Sequence, residues 1–221
     1  MSDAAFKREE EKGHALRGAV FLRCTDTSDT GGHVHVLEFI SKAIRHVTRS
    51  TFSAELHSCC DSADLGIIIL LLLHEILVGQ VSKAEARKLR ESGGYSLPMI
   101  IQIDALSVFA AITATYIKAP AEKGLPSHVQ FVRELLDSHV LSELHWIDTR
   151  DMVADGLNKG AVDRVALHTL MNGTLKYSHE LKRWSSKIHK SAVPDRSLYD
   201  AQVDLFLDTL HHVHICSHSR A

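Results

Sequence analysis

Pro98-Met-Ile-Ile-Gln-Ile-Asp104, followed at once by Ala105-Leu-Ser-Val-Phe-Ala-Ala-Ile112, is the stretch on which the fold turns. Its first half is a nearly continuous apolar run, the pattern of a parallel strand buried on both faces. Its second half is a helix of small and apolar residues. A strand that feeds directly into a helix points to crossover connections and an α/β sheet. Upstream, Ser50 or Thr51 offers a hydroxyl cap to a long helix in which Leu56, Cys60, Ala63, Ile67 and Leu70 recur at helical spacing. Its later turns are apolar nearly all round, so the expectation is a helix buried centrally against the sheet, closed by Gly79. Val81 to Arg90 reads as a short charged helix ended by Gly93-Gly94.

Further upstream, Ala19–Arg23 and the alternating His33-Val-His-Val-Leu-Glu-Phe39 read as two strands. Thr25-Asp-Thr-Ser-Asp-Thr-Gly-Gly32 joins them, which makes a hairpin. Downstream, Pro126 opens a helix running to Leu141, Glu143–Ile147 is a strand, and Asp151 to Met171 reads as one more helix. The order predicts a mixed α/β domain over residues 1–172. Residues 173–221 read as a basic, His-rich C-terminal appendage of uncertain order, in which the stretch Lys176 to Lys190 with Trp184 reads as a solvated helix face in preference to a clamp on nucleic-acid phosphates.

The chain has 221 residues, 45% of them hydrophobic and 24% charged, which suffices for a packed core and excludes a disordered tract. A formal charge of −2 excludes a generic polyanion binder, so nucleic-acid contacts must come from local clusters. Four cysteines, two of them adjacent at Cys59-Cys60, do not make a disulfide framework. The charged N-terminus lacks the apolar stretch of a secretory signal, and the longest apolar run, Leu65–Leu73, is too short to span a bilayer. These features predict an intracellular protein, cytoplasmic or nuclear, with no membrane partner.

Four acids stand where such folds assemble sites. Asp104 ends the buried strand, where crevices open in parallel sheets. Glu55 is in the first turns of the long helix, Asp155 is near the start of the last helix, and Asp3 heads the segment before the hairpin. Taken singly, Asp104 and Asp155 read first as helix caps, although Asp148 and Asp151 are the better capping candidates for the last helix and leave Asp155 free for chemistry.

Their surroundings carry more. The segment Val47-Thr-Arg-Ser-Thr-Phe-Ser-Ala-Glu55, the block Ile103-Asp104-Ala-Leu-Ser, the run Ala154-Asp155-Gly-Leu-Asn-Lys159 and the opening Ser2-Asp3-Ala4 together resemble the ribonuclease H domain at the C-terminal end of copia-type (Ty1/copia) retrotransposon Pol polyproteins. The resemblance covers roughly residues 1–172. It implies a five-stranded mixed ribonuclease H-like sheet, antiparallel hairpin strands plus parallel strands, flanked by helices. It also implies an Asp3, Glu55, Asp104, Asp155 cluster that is catalytic and binds two Mg²⁺ ions, with Mn²⁺ as the alternative. The activity implied is cleavage of the RNA strand of an RNA–DNA hybrid. The implied partners are that hybrid and an upstream reverse transcriptase domain of the same polyprotein. Three departures stand out: Ala105 replaces the family's Asn after the third acid, Asn158 replaces a Thr, and the first strand is truncated, with only Met1 and Ser2 ahead of Asp3.

Hard divalent cations answer the electrostatic problem of clustered carboxylates, which otherwise raise each other's pKa. Lys42, Arg45 and Arg49, with His46, precede the long helix and are the candidate phosphate contacts. Asp26 and Asp29 are poor substitutes for Asp3 because they fall in the hairpin loop. A second reading keeps the fold without the chemistry, as an inactive module that binds nucleic acid or serves structurally. An integrase-like reading is disfavoured because Glu55 comes second among the acids rather than last. A zinc or copper site at His211, His212, His214, Cys216 and His218 fits no structural zinc spacing.

Overall fold

A computed structural model describes residues 1–5, 15–25, 30–44, 48–116, 123–159 and 164–187. Arg45, His46, Asp26, Asp29 and the histidine-rich tail lie outside the described residues. The chain divides into Met1–Ser186 and Lys187–Ala221, and the architecture below is that of the first unit.

The strands are β1 (Ser2–Ala5), β2 (Leu16–Cys24), β3 (Gly31–Ala43), β4 (Ile100–Ile103), β5 (Glu143–Ile147), β6 (Thr174–Lys176) and β7 (Leu181–Trp184). They form one mixed sheet in the order β6-β3-β2-β1-β4-β5-β7. Strands β1, β2 and β3 pair antiparallel, while β1, β4 and β5 run parallel. The hairpin and the parallel strands thus appear as the sequence reading places them, and β5 has the expected bounds. A terminal strand of four residues nevertheless occupies the middle of the sheet, with all four residues buried.

Among the described residues the sheet has seven strands, not the five expected. The extra two come from residues 174–184, assigned above to a solvated appendage. Lys176, Lys182 and Arg183 sit on strands rather than on a helix face. Such short edge strands with outward charges protect the sheet edge and carry little periodicity, so they resemble a polar helix in sequence. β6 joins one edge and β7 the other, yet only residues 177–180 lie between them. Seven flat strands would put those edges ~29 Å apart, whereas the five residue steps from Lys176 to Leu181 reach at most ~18 Å. The sheet therefore curls.

The helices are α1 (Thr51–Val78), α2 (Lys83–Ser92), α3 (Leu106–Thr113), α4 (Leu125–Asp137), α5 (Asp155–Asn158) and α6 (Val165–Met171). Ser50 caps α1 by accepting the Ser53 N–H at 3.1 Å, and Gly79 ends it at φ +95°, where a side chain would be strained. The reciprocal pair Ser82 and Glu85 opens α2 as a capping box. On one face of the sheet, Leu56, Cys59, Ala63 and Ile67 of α1 pack with Ile101, Ile103 and Leu144, joined by Val108, Ile112 and Val129 of α3 and α4. On the other, Val20, Val34 and Ile147 pack with Val153, Ala154, Leu170 and Leu175.

Two expectations about helices are corrected. α1 is not buried all round: Ile68, Leu72 and Ile76 are exposed by half or more. A helix of 28 residues is ~42 Å long, while a strand of four or five covers only ~17 Å, so its later turns outrun the sheet. The single helix expected from Asp151 to Met171 is instead a 3₁₀ turn (Thr149–Asp151), α5 and α6. Asp148 caps the 3₁₀ turn through the Arg150 N–H at 3.0 Å. Asp151 turns away to accept the N–H groups of Ser178 and His179, tying this corner to the link between β6 and β7. No helix among the described residues is long and apolar enough to cross a membrane. Cys59 and Cys60 are buried free thiols.

Candidate metal centre

The central acids arrive from three distant parts of the chain. β1 carries Asp3, fully buried, on the strand that pairs Asp3 with Gly18 of β2. β4 ends at Ile103 and delivers Asp104 at its C-terminal end. α5 begins with Asp155, which is buried. One carboxylate oxygen from each of Asp3, Asp104 and Asp155 lies within 4.8 Å of the other two. Neither Asp104 nor Asp155 caps a helix: the N-cap positions of α3 and α5 are Ala105 and Ala154, without side-chain caps.

Glu55 stands beside this triad on the first turns of α1. The β1–β4 ladder consists of Ser2 opposite Ile103, so the Ala4 N–H has no strand partner. Glu55 Oε2 accepts it at 3.1 Å. Ser58, one turn on, donates to the Asp3 carbonyl at 2.8 Å and fixes the helix to the same strand. Burial first, then the charges of Asp3 and Asp104, push the Glu55 carboxyl up to about 9. Burial and Asp3 likewise push Asp155 up to about 7 and raise Asp104. Trp146 Nε1 donates to the Asp104 carbonyl at 2.7 Å, so β5 helps to orient the turn that carries this acid.

Two residues without an assigned role in the sequence complete the site. Lys159 Nζ donates to Asp155 Oδ1 at 2.6 Å and to Asp3 Oδ1 at 3.1 Å. Burial opposes its charge, yet the hydrogen bond to Asp155 and the charge of Asp3 hold the ammonium above its ordinary range. The i, i+4 spacing of Asp155 and Lys159 was the available signal. Gly18 is the other. A Cβ there would meet the Ala154 carbonyl oxygen at 2.9 Å and Asn158 Nδ2 at 3.0 Å. The missing side chain lets α5 sit on β2, where Asn158 Nδ2 donates to Asp3 Oδ2 at 2.8 Å. Nothing in the local sequence marks this glycine, because its reason lies 136 residues away.

The donor set suits a hard divalent cation, being all oxygen and mostly buried. Asn158 Oδ1 is buried without a hydrogen-bond partner, which leaves one more oxygen donor beside Asp3. Asp3, Asp104 and Asp155 could hold a metal ion, and Glu55 lies next to them.

The candidate phosphate contacts are placed less compactly. Lys42 is exposed on β3 opposite Arg17 of β2, and Arg17 ion-pairs with Asp61 of α1. Its neighbour Ser41 donates to the Leu157 carbonyl of α5 at 2.9 Å, so alternation puts Lys42 on the opposite face of the sheet. Arg49 is exposed just before the Ser50 cap.

No protein-family profile, curated protein or solved structure matches this chain.

Proposed function

We propose that the chain is a divalent-metal-dependent nuclease of the ribonuclease H type, which hydrolyses the RNA strand of RNA–DNA hybrids. The observation that carries this reading is the meeting of Asp3, Asp104 and Asp155 within 4.8 Å at the C-terminal end of a parallel strand. The strand order β3-β2-β1-β4-β5, antiparallel hairpin on one side and parallel strands on the other, supports a ribonuclease H-like core with β6 and β7 added at its edges. Glu55 on the first helix supplies the fourth acid of such a site.

Two bound Mg²⁺ or Mn²⁺ ions would activate a water and stabilise the leaving 3′ oxygen, which gives a 5′ phosphate and a 3′ hydroxyl. The chain's own residues prepare for that. Asp3 and Asp155 are held in register by Asn158 and Lys159. Burial and the charges of Asp3 and Asp104 favour the protonated form of Glu55, and a bound cation would offset that repulsion and favour its carboxylate. Lys159 donates to the same two acids that would hold a cation, so the two would compete for them. Arg49 and Lys42 are the described basic groups for hybrid phosphates, and 2′ hydroxyls read in the minor groove would select the RNA strand.

One observation favours a second reading. Lys159 already balances Asp3 and Asp155, so the fold can stand without metal, as a non-catalytic hybrid-binding module. Incubating the protein with a labelled RNA–DNA hybrid in Mg²⁺ separates the two. Cleavage that is lost in Asp104→Asn supports the nuclease. An inert parent protein that still binds hybrid leaves the module.

A further inference from the structure

Three of the four acids owe their placement to contacts described above. Asn158 and Lys159 hold Asp3, Lys159 holds Asp155, and the Ala4 N–H holds Glu55. Asp104 is held differently, because it lies at a junction. β4 ends at Ile103 and α3 takes Ala105 as its N-cap, so Asp104 belongs to neither element. The first bonds of α3, from the Val108 and Phe109 N–H groups, both go to the Ala105 carbonyl. The Asp104 carbonyl is therefore outside the helix ladder and needs a donor of its own. The Trp146 indole supplies it, Nε1–H donating at 2.7 Å.

The strand register explains why a tryptophan reaches this carbonyl. Trp146 of β5 stands opposite Ile103 of the parallel strand β4, one residue before Asp104. Leu144, two residues earlier on β5, is buried in the core beneath α1 and α3. Alternation puts the indole on that same face, where α3 begins. On its other side β5 pairs antiparallel with β7, and Lys182 stands opposite Trp146. The Lys182 ammonium lies 4.9 Å from the centre of the indole ring and 3.5 Å from Glu180 Oε1, so a cation covers the ring from β7. Just beyond β5, the Thr149 side chain hydrogen-bonds to Asp104 and favours its carboxylate. The end of β5 thus grips Asp104 by backbone and side chain before the chain runs on to Asp155. Partners of this kind, which touch a metal ligand rather than the metal, set ligand direction and through it affinity.

We infer that Trp146 is a positioning residue for the metal centre: its indole N–H fixes the backbone at Asp104 so that the carboxylate is aimed at Asp3 and Asp155, and Lys182 of β7 steadies the ring. This role rests on the metal centre proposed above and ties the β7 strand to it.

The test uses the full chain with isotope-labelled tryptophan, Mg²⁺ for the spectra and Mn²⁺ for affinity. Trp184, the other tryptophan, stands on β7 opposite Leu144 and serves as the internal control. Mg²⁺ is expected to move the Trp146 indole N–H signal saturably, to leave that of Trp184 in place, and to move neither in Asp104→Asn. Trp146→Phe keeps an aromatic ring and removes the donor. It is expected to bind Mn²⁺ about tenfold more weakly, whereas Trp184→Phe binds as the parent does; the Tm of each variant reports that it is folded. A parent chain without saturable Mn²⁺ binding overturns the metal centre and this role together. A parent that binds Mn²⁺ while its Trp146 signal ignores Mg²⁺ overturns the role alone. So does a folded Trp146→Phe protein of parental affinity, or an equal loss in the two tryptophan variants.

Discussion

Lys159 and Glu55 hold the electrostatic balance of the centre in opposite ways. Glu55 titrates near 4.3 in an unfolded chain and is pushed up to about 9 in the folded one. Across that window the folded state binds the extra proton, so stability falls as pH rises. Asp155 acts in the same sense up to about 7. In EDTA, urea unfolding from pH 5 to 9 is expected to show this decline, and Glu55→Gln is expected to flatten it. A parallel decline in both proteins would remove the assignment. Lys159 is a counter-charge to two buried acids, so Lys159→Met should cost about 2–3 kcal/mol in EDTA. Millimolar Mg²⁺ should restore much of that loss, because a cation bound to the folded state alone stabilises it by mass action. Thermal unfolding with and without metal reads both effects. The role of Lys159 was not legible in advance. Asp3, Glu55, Asp104 and Asp155 stood out as acids in motif-like surroundings, whereas a lysine four residues after an aspartate is common on any helix.

At the scale of elements, the site depends on how closely α5 approaches β2. Gly18→Val would drive a side chain into the Ala154 carbonyl and the Asn158 amide. The expected result is displacement of Asp155 with α5, so metal affinity falls at least tenfold while the protein stays folded. Calorimetric titration with Mn²⁺ beside a Tm measurement distinguishes that from simple unfolding. Ser50→Ala removes the α1 cap and should cost about 1 kcal/mol, spread over the helix that carries Glu55. Elements with a strong local code were readable. The Ser50 cap, the β4 run Ile100–Ile103 and the bounds of β5 follow from hydroxyl chemistry and continuous apolar residues. The segment 149–171 was misread as one helix because Asp148 and Asp151 serve a 3₁₀ turn and a distant backbone, contacts that no local periodicity encodes.

At the scale of the first unit, the strap formed by β6 and β7 covers part of the β3 edge and the β5 edge of the sheet. A chain ending at residue 172 exposes β3 and β5 and uncovers Val34 and Ile147 of the second core. It is expected to lose several degrees of Tm and to associate, seen as a concentration-dependent shift in size-exclusion elution; a monomer of unchanged Tm would contradict the role of the strap. The sequence hid these strands because three- and four-residue strands rich in Lys and Arg have no pattern of their own and gain one only from the edges they cover.

The convergence of Asp3, Asp104 and Asp155 on a divalent cation is the claim on which the functional reading rests, and Mn²⁺ binding followed by electron paramagnetic resonance tests it most directly. Asp104 has neither Asn158 nor Lys159 as a partner, so Asp104→Asn removes a ligand while leaving those two contacts in place. The account predicts saturable Mn²⁺ binding to the full chain and at least tenfold weaker binding to the folded variant. Equal affinities in the two proteins would contradict it.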